Sequence, residues 1–94
     1  MNSIVKEEIA IVVGGGPGIS ASCARLFTKN GMRVVVAARN IEKPVLKGLE
    51  NDLNVKLIQC DAADPLAVES LFHTVDETLG APRLVVHNID GRSA

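Results

Sequence analysis

Hydrophobic residues are grouped along this chain in blocks that predict strands and helices in alternation. Four short runs with apolar, often β-branched centres cover residues 9–13, 32–38, 55–60 and 83–87. The first two runs are typical of strands that are buried in a sheet, and the other two also predict strands. The longer segments between them have apolar residues at helical spacing. We therefore predict four strands joined by three helices.

The first two predicted helices are marked by apolar stripes and by the residues at their ends. The segment 18–30 is followed by Gly31, and the pair Asn30-Gly31 is typical of a helix C-terminus. In the second helix, Asn40 is the expected N-terminal cap and Pro44 lies in the first turn, where proline is tolerated. The expected buried stripes are Ile19, Cys23, Leu26 and Phe27 in the first helix, and Ile41, Val45, Leu49 and Leu53 in the second.

The third predicted helix has the clearest start in the chain. Asp64 is the expected cap of its N-terminus, Pro65 suits the first helical position, and Gly80 ends the segment. The residues expected on its buried side are Leu66, Leu71, Phe72, Val75 and Leu79.

The alternation of strands and helices predicts a single domain, residues 1–94, of the α/β class. Parallel strands joined by right-handed crossovers form a layered sheet, and in the doubly wound arrangement four strands take the order 3-2-1-4. We expect half a Rossmann fold: a four-stranded parallel sheet with two helices on one face and the third on the other. The fourth strand, with Leu84, Val85 and Val86, then lies at an open edge, where apolar residues favour association.

Composition restricts the classes of function that the chain can have. Apolar residues make up 47% of the sequence, which excludes a disordered chain, and the apolar runs are too short to span a bilayer. The 10 basic and 11 acidic residues give a net charge of −1 without a basic block, so neither a nucleic acid nor a membrane is an expected partner. The first residues lack the pattern of a secretory signal, and a cytoplasmic location is expected.

The two cysteines suggest no metal site and no disulfide framework. Cys23 and Cys60 are widely separated and have no second cysteine at zinc-ligand spacing. We expect both to be buried, reduced thiols.

A glycine-rich loop, Gly14-Gly15-Gly16-Pro17-Gly18, connects the first predicted strand to the first helix. Glycine has no Cβ to keep an anion away from backbone N–H groups, and it accepts unusual φ and ψ angles. The helix N-terminus that follows adds free N–H groups and the positive end of its dipole. A pyrophosphate suits this arrangement, and the surrounding strand–helix–strand unit supports that interpretation. The alternative is that the glycines serve only close packing of helix and sheet.

On these residues the chain resembles the short-chain dehydrogenase/reductase family, whose first loop has the motif Thr-Gly-x-x-x-Gly-x-Gly. Gly14, Gly18 and the frequent isoleucine, Ile19, match the motif. Val13 replaces the threonine and Ser20 replaces the last glycine. Ser20 could donate its hydroxyl towards phosphate, but it adds bulk where the family packs the helix closely. The residues that the resemblance places at the cofactor in this loop are Gly14, Gly16, Gly18 and Ile19.

The residues after the second strand indicate which dinucleotide the resemblance implies. Family members that use NAD usually have an acidic residue near position 38, which accepts from the ribose 2′-hydroxyl. This chain has Ala38, Arg39 and Asn40 there, so the resemblance implies NADP rather than NAD, with Arg39 and Asn40 at the 2′-phosphate. The alternative is that Arg39 is an ordinary surface residue, and the nearby Glu42 argues against a strong anion site.

Two more positions resemble the family at the ends of the third and fourth strands. Asp61, followed by Ala62, resembles the strand-end aspartate that faces the adenine amino group, although a simple turn or capping role for Asp61 is the alternative. After the fourth strand the family has Asn-Asn-Ala-Gly, whereas this chain has His87, Asn88, Ile89 and Asp90. Asn88 is therefore expected near the ribose, and the nicotinamide end departs from the family.

The resemblance covers essentially the whole chain but only the first half of the family's fold. The family's catalytic Ser and its Tyr-x-x-x-Lys pair belong to the second half, and this sequence has no tyrosine. We expect a truncated NADP(H)-binding half-domain with no catalytic residue of its own and no hydride transfer alone. One alternative is an interaction module that has lost cofactor binding. Its edge strand from Leu84 to His87 would pair with a second copy, giving a homodimer, or with another protein. The other is an enzyme that uses His87 with Asp61 or Asp90.

Overall fold

The computed structural model describes residues 8–14 and 17–88, and strands and helices alternate there as expected. The strands are β1 (Ile9–Gly14), β2 (Arg33–Ala38), β3 (Lys56–Gln59) and β4 (Leu84–Asn88), and the helices are α1 (Pro17–Lys29), α2 (Pro44–Leu53) and α3 (Pro65–Thr78). All strand pairs are parallel, and the order is β3-β2-β1-β4. The predicted half Rossmann fold is confirmed. None of the described helices is long and apolar enough to cross a bilayer.

Side chains of the central strands point alternately into two apolar layers on opposite faces of the sheet. The first layer lies under α1 and α2 and contains Ala10, Val12, Ala21, Ala24, Val34, Val36, Leu46, Leu49 and Val55. The second lies under α3 and contains Ile9, Ile11, Val13, Val35, Ala37, Cys60, Leu71 and Val75. Successive strand residues face opposite sides of a sheet, so a continuous apolar strand fills both layers. The predicted distribution of the helices over the two faces is confirmed.

The ends of α1 and α3 are formed by the residues that the sequence indicates. After α1, Gly31 has a φ of 82°, and the N–H of Met32 donates to the carbonyl of Phe27 at 3.0 Å, which is a Schellman-type ending. At the start of α3, the Asp64 carboxylate accepts a hydrogen bond from the N–H of Leu66 at 3.0 Å. These contacts satisfy backbone groups that a helix end would otherwise leave unpaired.

The predicted cap of the second helix is wrong. α2 begins at Pro44, after Lys43, whose φ of −63° and ψ of 139° are extended and whose side chain makes no capping bond. Proline disfavours helical backbone at the residue before it, so the helix does not reach back towards residue 40. Asn40 instead accepts a hydrogen bond from the N–H of Glu42 at 2.9 Å, in the turn before the helix.

The buried face of α1 differs from the predicted stripe. Ser20, Ala21 and Ala24 are at most 4% exposed, whereas Ile19 is 50% and Leu26 is 56% exposed. Small side chains allow the helix to lie close to the sheet, and the larger apolar residues then lie on its flanks.

The predicted stripes of α2 and α3 are also wrong in part. Val45 is 46% exposed, Leu66 is 75% exposed, and Ile41 lies in the turn before α2. Both exposed residues lie in the first turn of their helices. There, helical spacing predicts the buried face poorly, because few helical residues precede these positions. The buried residues are Leu46 and Leu49 in α2, and Leu71 and Val75 in α3.

β4 is an apolar edge of the described sheet, as expected. Leu84 is 38% and Val85 is 40% exposed, and β1 is the neighbour of β4 in the strand order. The opposite edge, β3, has only four residues and carries exposed Lys56 and Gln59 at its ends. Lysine discourages pairing with another strand, and the described residues of β4, which is one residue longer than β3, include no lysine.

Candidate functional site

The carboxyl ends of the four strands lie side by side at one edge of the sheet. Gly14 at the end of β1 is the register partner of Asn88 in β4, and Ala38 of β2 is the partner of Gln59 in β3. Neighbouring strands are about 4.8 Å apart, so the row of strand ends is roughly 14 Å long. The direction of strand addition reverses between β1 and β4. Open α/β sheets bind ligands at such a switch point.

At this switch point, Gly14 is the last residue of β1 and Gly18 is the second residue of α1. Gly14 has a φ of 78°, which residues with a Cβ rarely adopt. Gly18 is exposed, and a Cβ built on it would meet no atom of the described residues within 4 Å, its two chain neighbours and the backbone of its own helix aside. The space above the first turn is therefore open, and Ile19 lies half exposed beside it. Gly16, the remaining candidate of this loop, lies outside the described residues.

The hydroxyl of Ser20 points into the protein. Ser20 is 1% exposed, and its Oγ donates to the carbonyl oxygen of Gly14 at 3.4 Å. The sequence-based suggestion that this hydroxyl donates towards phosphate is therefore wrong. The side of α1 that is open to an anion carries Gly18 and Ile19 instead, and the bulk of Ser20 is accommodated on the buried face of the helix.

Arg39 and Asn40 lie in the turn that follows β2. Gln59 Nε2 donates to the Arg39 carbonyl at 3.0 Å, which ties this turn to the end of β3. Glu42, the expected competitor for Arg39, lies 3.7 Å from Lys47 and forms an ion pair with it. Arg39 is exposed at the row of strand ends, while the nearby carboxylate is paired with another cation. This role of Gln59 was not predicted, although a polar residue at the carboxyl end of a strand is a signal for it.

Asp61 and Ala62 follow β3 at the far end of the row. Asp61 Oδ1 accepts from the N–H of Ala63 at 2.9 Å, and the Asp61 carbonyl accepts from the N–H of Asp64 at 3.0 Å. Asp61 therefore has the turn role that the sequence left open as an alternative. Its side chain remains exposed at the edge, and Ala62 packs partly against the layer under α3.

Both described cysteines are free, and Cys60 is held protonated by its surroundings. Burial, together with the negative charges of Asp61 and Asp64, raises the pKa of the Cys60 thiol above its ordinary value of 9.0. Cys60 is 5% exposed within the layer under α3, whereas Cys23 is only half buried. A protonated, buried thiol is a poor nucleophile, so Cys60 is a core residue rather than part of the site.

The structure does not bring His87 and Asp61 together. His87 lies on β4 as the register partner of Val13, and Asp61 follows β3 at the opposite edge of the sheet. Three strand spacings, about 14 Å, separate those edges, which is beyond hydrogen-bond reach of the two side chains. Asp90, the other expected partner of His87, lies outside the described residues, and of Asn88 only the backbone is described. Residues 8–14 and 17–88 contain no group of three or more potential metal ligands.

Most of the chain is similar to known proteins. Residues 14–91 match the family model described as enoyl-(acyl carrier protein) reductase. An uncharacterized oxidoreductase of Thermotoga maritima is 34% identical over 88 residues, which is 90% of this chain and 34% of that protein. The mitochondrial borneol dehydrogenase of Lavandula x intermedia is 30% identical over 84 residues, which is 89% of this chain and 32% of that protein. The chain spans about a third of the length of these curated relatives.

A solved structure supports the same fold. A Serratia marcescens short-chain dehydrogenase/reductase mutant superposes with a TM-score of 0.77 at 20% identity, over 88% of this chain and 36% of that one. At this identity the likeness shows the fold, and the strand order of the sheet agrees with it.

Proposed function

The chain belongs to the short-chain dehydrogenase/reductase family, and we propose that it binds NADP(H) along the carboxyl edge of its sheet. One observation carries this proposal: candidate residues follow one another along the edge in the order of the chemical groups of the dinucleotide. Asp61 follows β3, Arg39 follows β2, Gly14 ends β1, and Asn88 ends β4. In the same order they serve the adenine, the 2′-phosphate, the pyrophosphate and the second ribose.

The start of α1 fits a pyrophosphate. Gly18 leaves open space above the first turn, and the 13-residue helix directs its positive dipole end and free N–H groups there. The positive φ of Gly14 turns the chain away from β1 at the switch point. Ile19 and Gly16 complete this part of the proposed site.

Arg39 carries the preference for NADP over NAD. Its guanidinium is exposed and suits bidentate contact with the 2′-phosphate, and the neighbouring Glu42 pairs with Lys47. Asn40 uses its Oδ1 in the turn and keeps its amide N–H groups as donors. The chain has no acidic side chain at residues 38–40 to accept from a free 2′-hydroxyl.

At the adenine end, Asp61 and Ala62 complete the proposed site. Asp61 Oδ1 is engaged in the turn, and its second carboxylate oxygen is assigned to the adenine amino group. Ala62, which leaves room for the ring, is half buried. Bound NADP(H) supplies the hydride donor or acceptor of the family's oxidoreductase chemistry.

We also propose that residues 1–94 form one dinucleotide-binding unit that does not transfer hydride by itself. The sequence has no tyrosine and therefore lacks the family's Tyr-x-x-x-Lys pair. His87 and Asp61, at opposite edges of the sheet, form no acid–base pair. Hydride transfer then needs groups from outside these 94 residues. We propose the cytoplasm as the location of the chain and a small-molecule dinucleotide as its partner. A net charge of −1 does not favour binding to nucleic acid.

Calorimetric titration of the purified chain with NADPH, NADH and AMP tests the proposed binding. We expect saturable binding of NADPH, weaker binding of NADH, and the weakest binding of AMP, which lacks both the 2′-phosphate and the pyrophosphate. Absence of NADPH binding at millimolar concentration would overturn the proposal.

Self-association through β4 is a second candidate function, and the unprotected apolar edge favours it. Two copies related by a two-fold axis can pair their β4 strands and cover Leu84 and Val85 in one eight-stranded sheet. Sedimentation should then show a dimer for the parent and a monomer for Val85→Lys. Val45→Lys, at a similarly exposed site on α2, should remain dimeric. A monomeric parent at high concentration would overturn this candidate.

A further inference from the structure

We propose that Ser20 is a positioning residue: its buried hydroxyl holds the end of β1 and the first turn of α1 in the arrangement that binds the dinucleotide. This inference rests on the proposed NADP(H) binding and assigns a role to a side chain that contacts no cofactor. It concerns the position where the family motif has its last glycine.

The burial of Ser20 requires an explanation beyond packing. Ser20 is 1% exposed and stands with Ala21 and Ala24 on the face of α1 that lies against the sheet. A hydroxyl in such a place costs free energy unless it is hydrogen-bonded. Alanine has the higher helix propensity and carries no polar group to bury. Packing and helix propensity therefore both favour alanine here, and the bond that the structure shows for the hydroxyl is the one to the Gly14 carbonyl.

That bond joins the first residue of the glycine-rich loop to a residue of α1 just beyond the loop. Its acceptor, Gly14, is the residue at which the chain leaves β1 with a φ of 78° and which faces Asn88 across the switch point. Its donor is six positions later in the first turns of α1. Gly18, the open position of the proposed pyrophosphate site, lies between them in the sequence.

The bond fixes Gly14 and the first turns of α1 relative to each other before a ligand binds. A contact that exists before binding increases the affinity for the ligand, because the protein then loses less conformational freedom when the ligand binds. In the dinucleotide fingerprint, the last glycine sets a close approach of helix and strand. Here the inward hydroxyl sets that distance through a hydrogen bond to the strand end.

The test compares Ser20→Ala and Ser20→Cys with Ser22→Ala, which changes an exposed serine of the same helix. NADPH and adenosine 2′-monophosphate are the two probes, since the second has the 2′-phosphate but no pyrophosphate. We expect Ser20→Ala to weaken NADPH binding about 2- to 3-fold, the lower end of the range for one hydrogen bond, because the 3.4 Å between Ser20 Oγ and the Gly14 carbonyl oxygen is long for such a bond. Ser20→Cys should lose a similar factor, because a thiol is a weak donor. Affinity for adenosine 2′-monophosphate should not change, and Ser22→Ala should match the parent with both probes.

Two results would overturn the role of Ser20 alone. One is unchanged NADPH affinity in Ser20→Ala while the parent binds NADPH. The other is an equal loss for both probes, which indicates a general structural defect. If Ser20→Ala does not fold, Ser20→Cys decides by the same criteria, with folding checked by thermal unfolding. A parent that binds no NADPH would overturn the proposed function and this inference together.

Discussion

Gly14 and Asn88 are register partners at the carboxyl ends of β1 and β4. They stand on either side of the point where the direction of strand addition reverses, and Gly14 turns the chain there with a φ of 78°. A ligand at the start of α1 therefore lies beside the end of β4. The end of β4 therefore continues the row formed by the ends of β1, β2 and β3, and the four strand ends form one candidate site.

Gly18→Ala should separate binding from stability. Alanine is favoured over glycine by about 0.5–1 kcal/mol within a helix and by less at its start, where Gly18 lies. A Cβ at Gly18 meets no atom of the described residues within 4 Å, its two chain neighbours and the backbone of its own helix aside. The variant should be at least as stable as the parent. Its affinity for NADPH should fall about tenfold, equivalent to about 1.4 kcal/mol, because the methyl group occupies space that the pyrophosphate needs.

Gly48→Ala is the matched control for that experiment. Gly48 lies within α2, and a Cβ there also meets no atom within 4 Å. It should gain stability in urea unfolding and bind NADPH as the parent does. Equal NADPH affinity of the two alanine variants would contradict the assignment of Gly18.

Arg39→Gln should reduce the discrimination between NADPH and NADH. Removing the guanidinium from the 2′-phosphate should weaken NADPH binding roughly tenfold, since bonds to charged groups at an exposed site lie at the lower end of their range. NADH has no 2′-phosphate, and its affinity should not change. Arg83→Gln removes an exposed arginine whose Nη1 lies 3.2 Å from Glu8 at the amino edge of the sheet. It should leave both affinities unchanged, and an equal effect of the two substitutions would argue against a phosphate contact of Arg39.

Asp64→Ala should destabilise the fold through the start of α3. The Asp64 carboxylate accepts from the N–H of Leu66 at 3.0 Å, and loss of such a cap costs about 1 kcal/mol. Asp76→Ala, on the exposed side of the same helix, should change the free energy of unfolding by less than about 0.5 kcal/mol. Urea unfolding measures both, and similar losses would show that Asp64 has no special capping role.

Stability should decrease at alkaline pH because of Cys60. Burial and the charges of Asp61 and Asp64 raise the pKa of its thiol in the folded protein, so the protonated form is favoured there. This contribution is complete below the unfolded value of 9.0 and is lost as pH rises through the higher folded value. Urea unfolding at a series of pH values should show a smaller alkaline loss for Cys60→Ala than for Cys23→Ala. Identical pH profiles of the two variants would refute this origin.

The sequence predicts the strands well because they rest on strong local patterns. The strand order follows from the doubly wound arrangement that alternating strands and helices favour. Continuous apolar runs in β1 and β2 allow burial on both faces, and the cap at Asp64 and the turn at Gly31 need only neighbouring residues. The juxtaposition of Gly14 with Asn88 then follows from the strand order alone.

The helix faces and some side-chain directions could not be predicted in the same way. The face of α1 depends on how closely it approaches the sheet, which places Ser20 inside and Leu26 outside. From the sequence alone, the Ser20 hydroxyl can point either towards a bound phosphate or into the protein. The rotation of α1 about its own axis decides which of the two directions it takes. Asn40 fails as a cap because Pro44 fixes the start of α2, a steric effect that outweighs capping preference. The pairing of Glu42 with Lys47 likewise depends on the fold of the turn before α2.

Mapping of NADPH onto the chain by amide chemical shifts is a direct test of dinucleotide binding at the carboxyl edge. We expect saturable shifts at that edge, at Gly14, Gly18, Arg39, Asp61 and Asn88, and none at Glu8 and Arg83 at the amino edge. Titration with NADH should reproduce the shifts at Gly14 and Gly18 and lose those at Arg39. Shifts centred on the amino edge, or no shifts at the carboxyl edge at millimolar NADPH, would contradict the proposed binding.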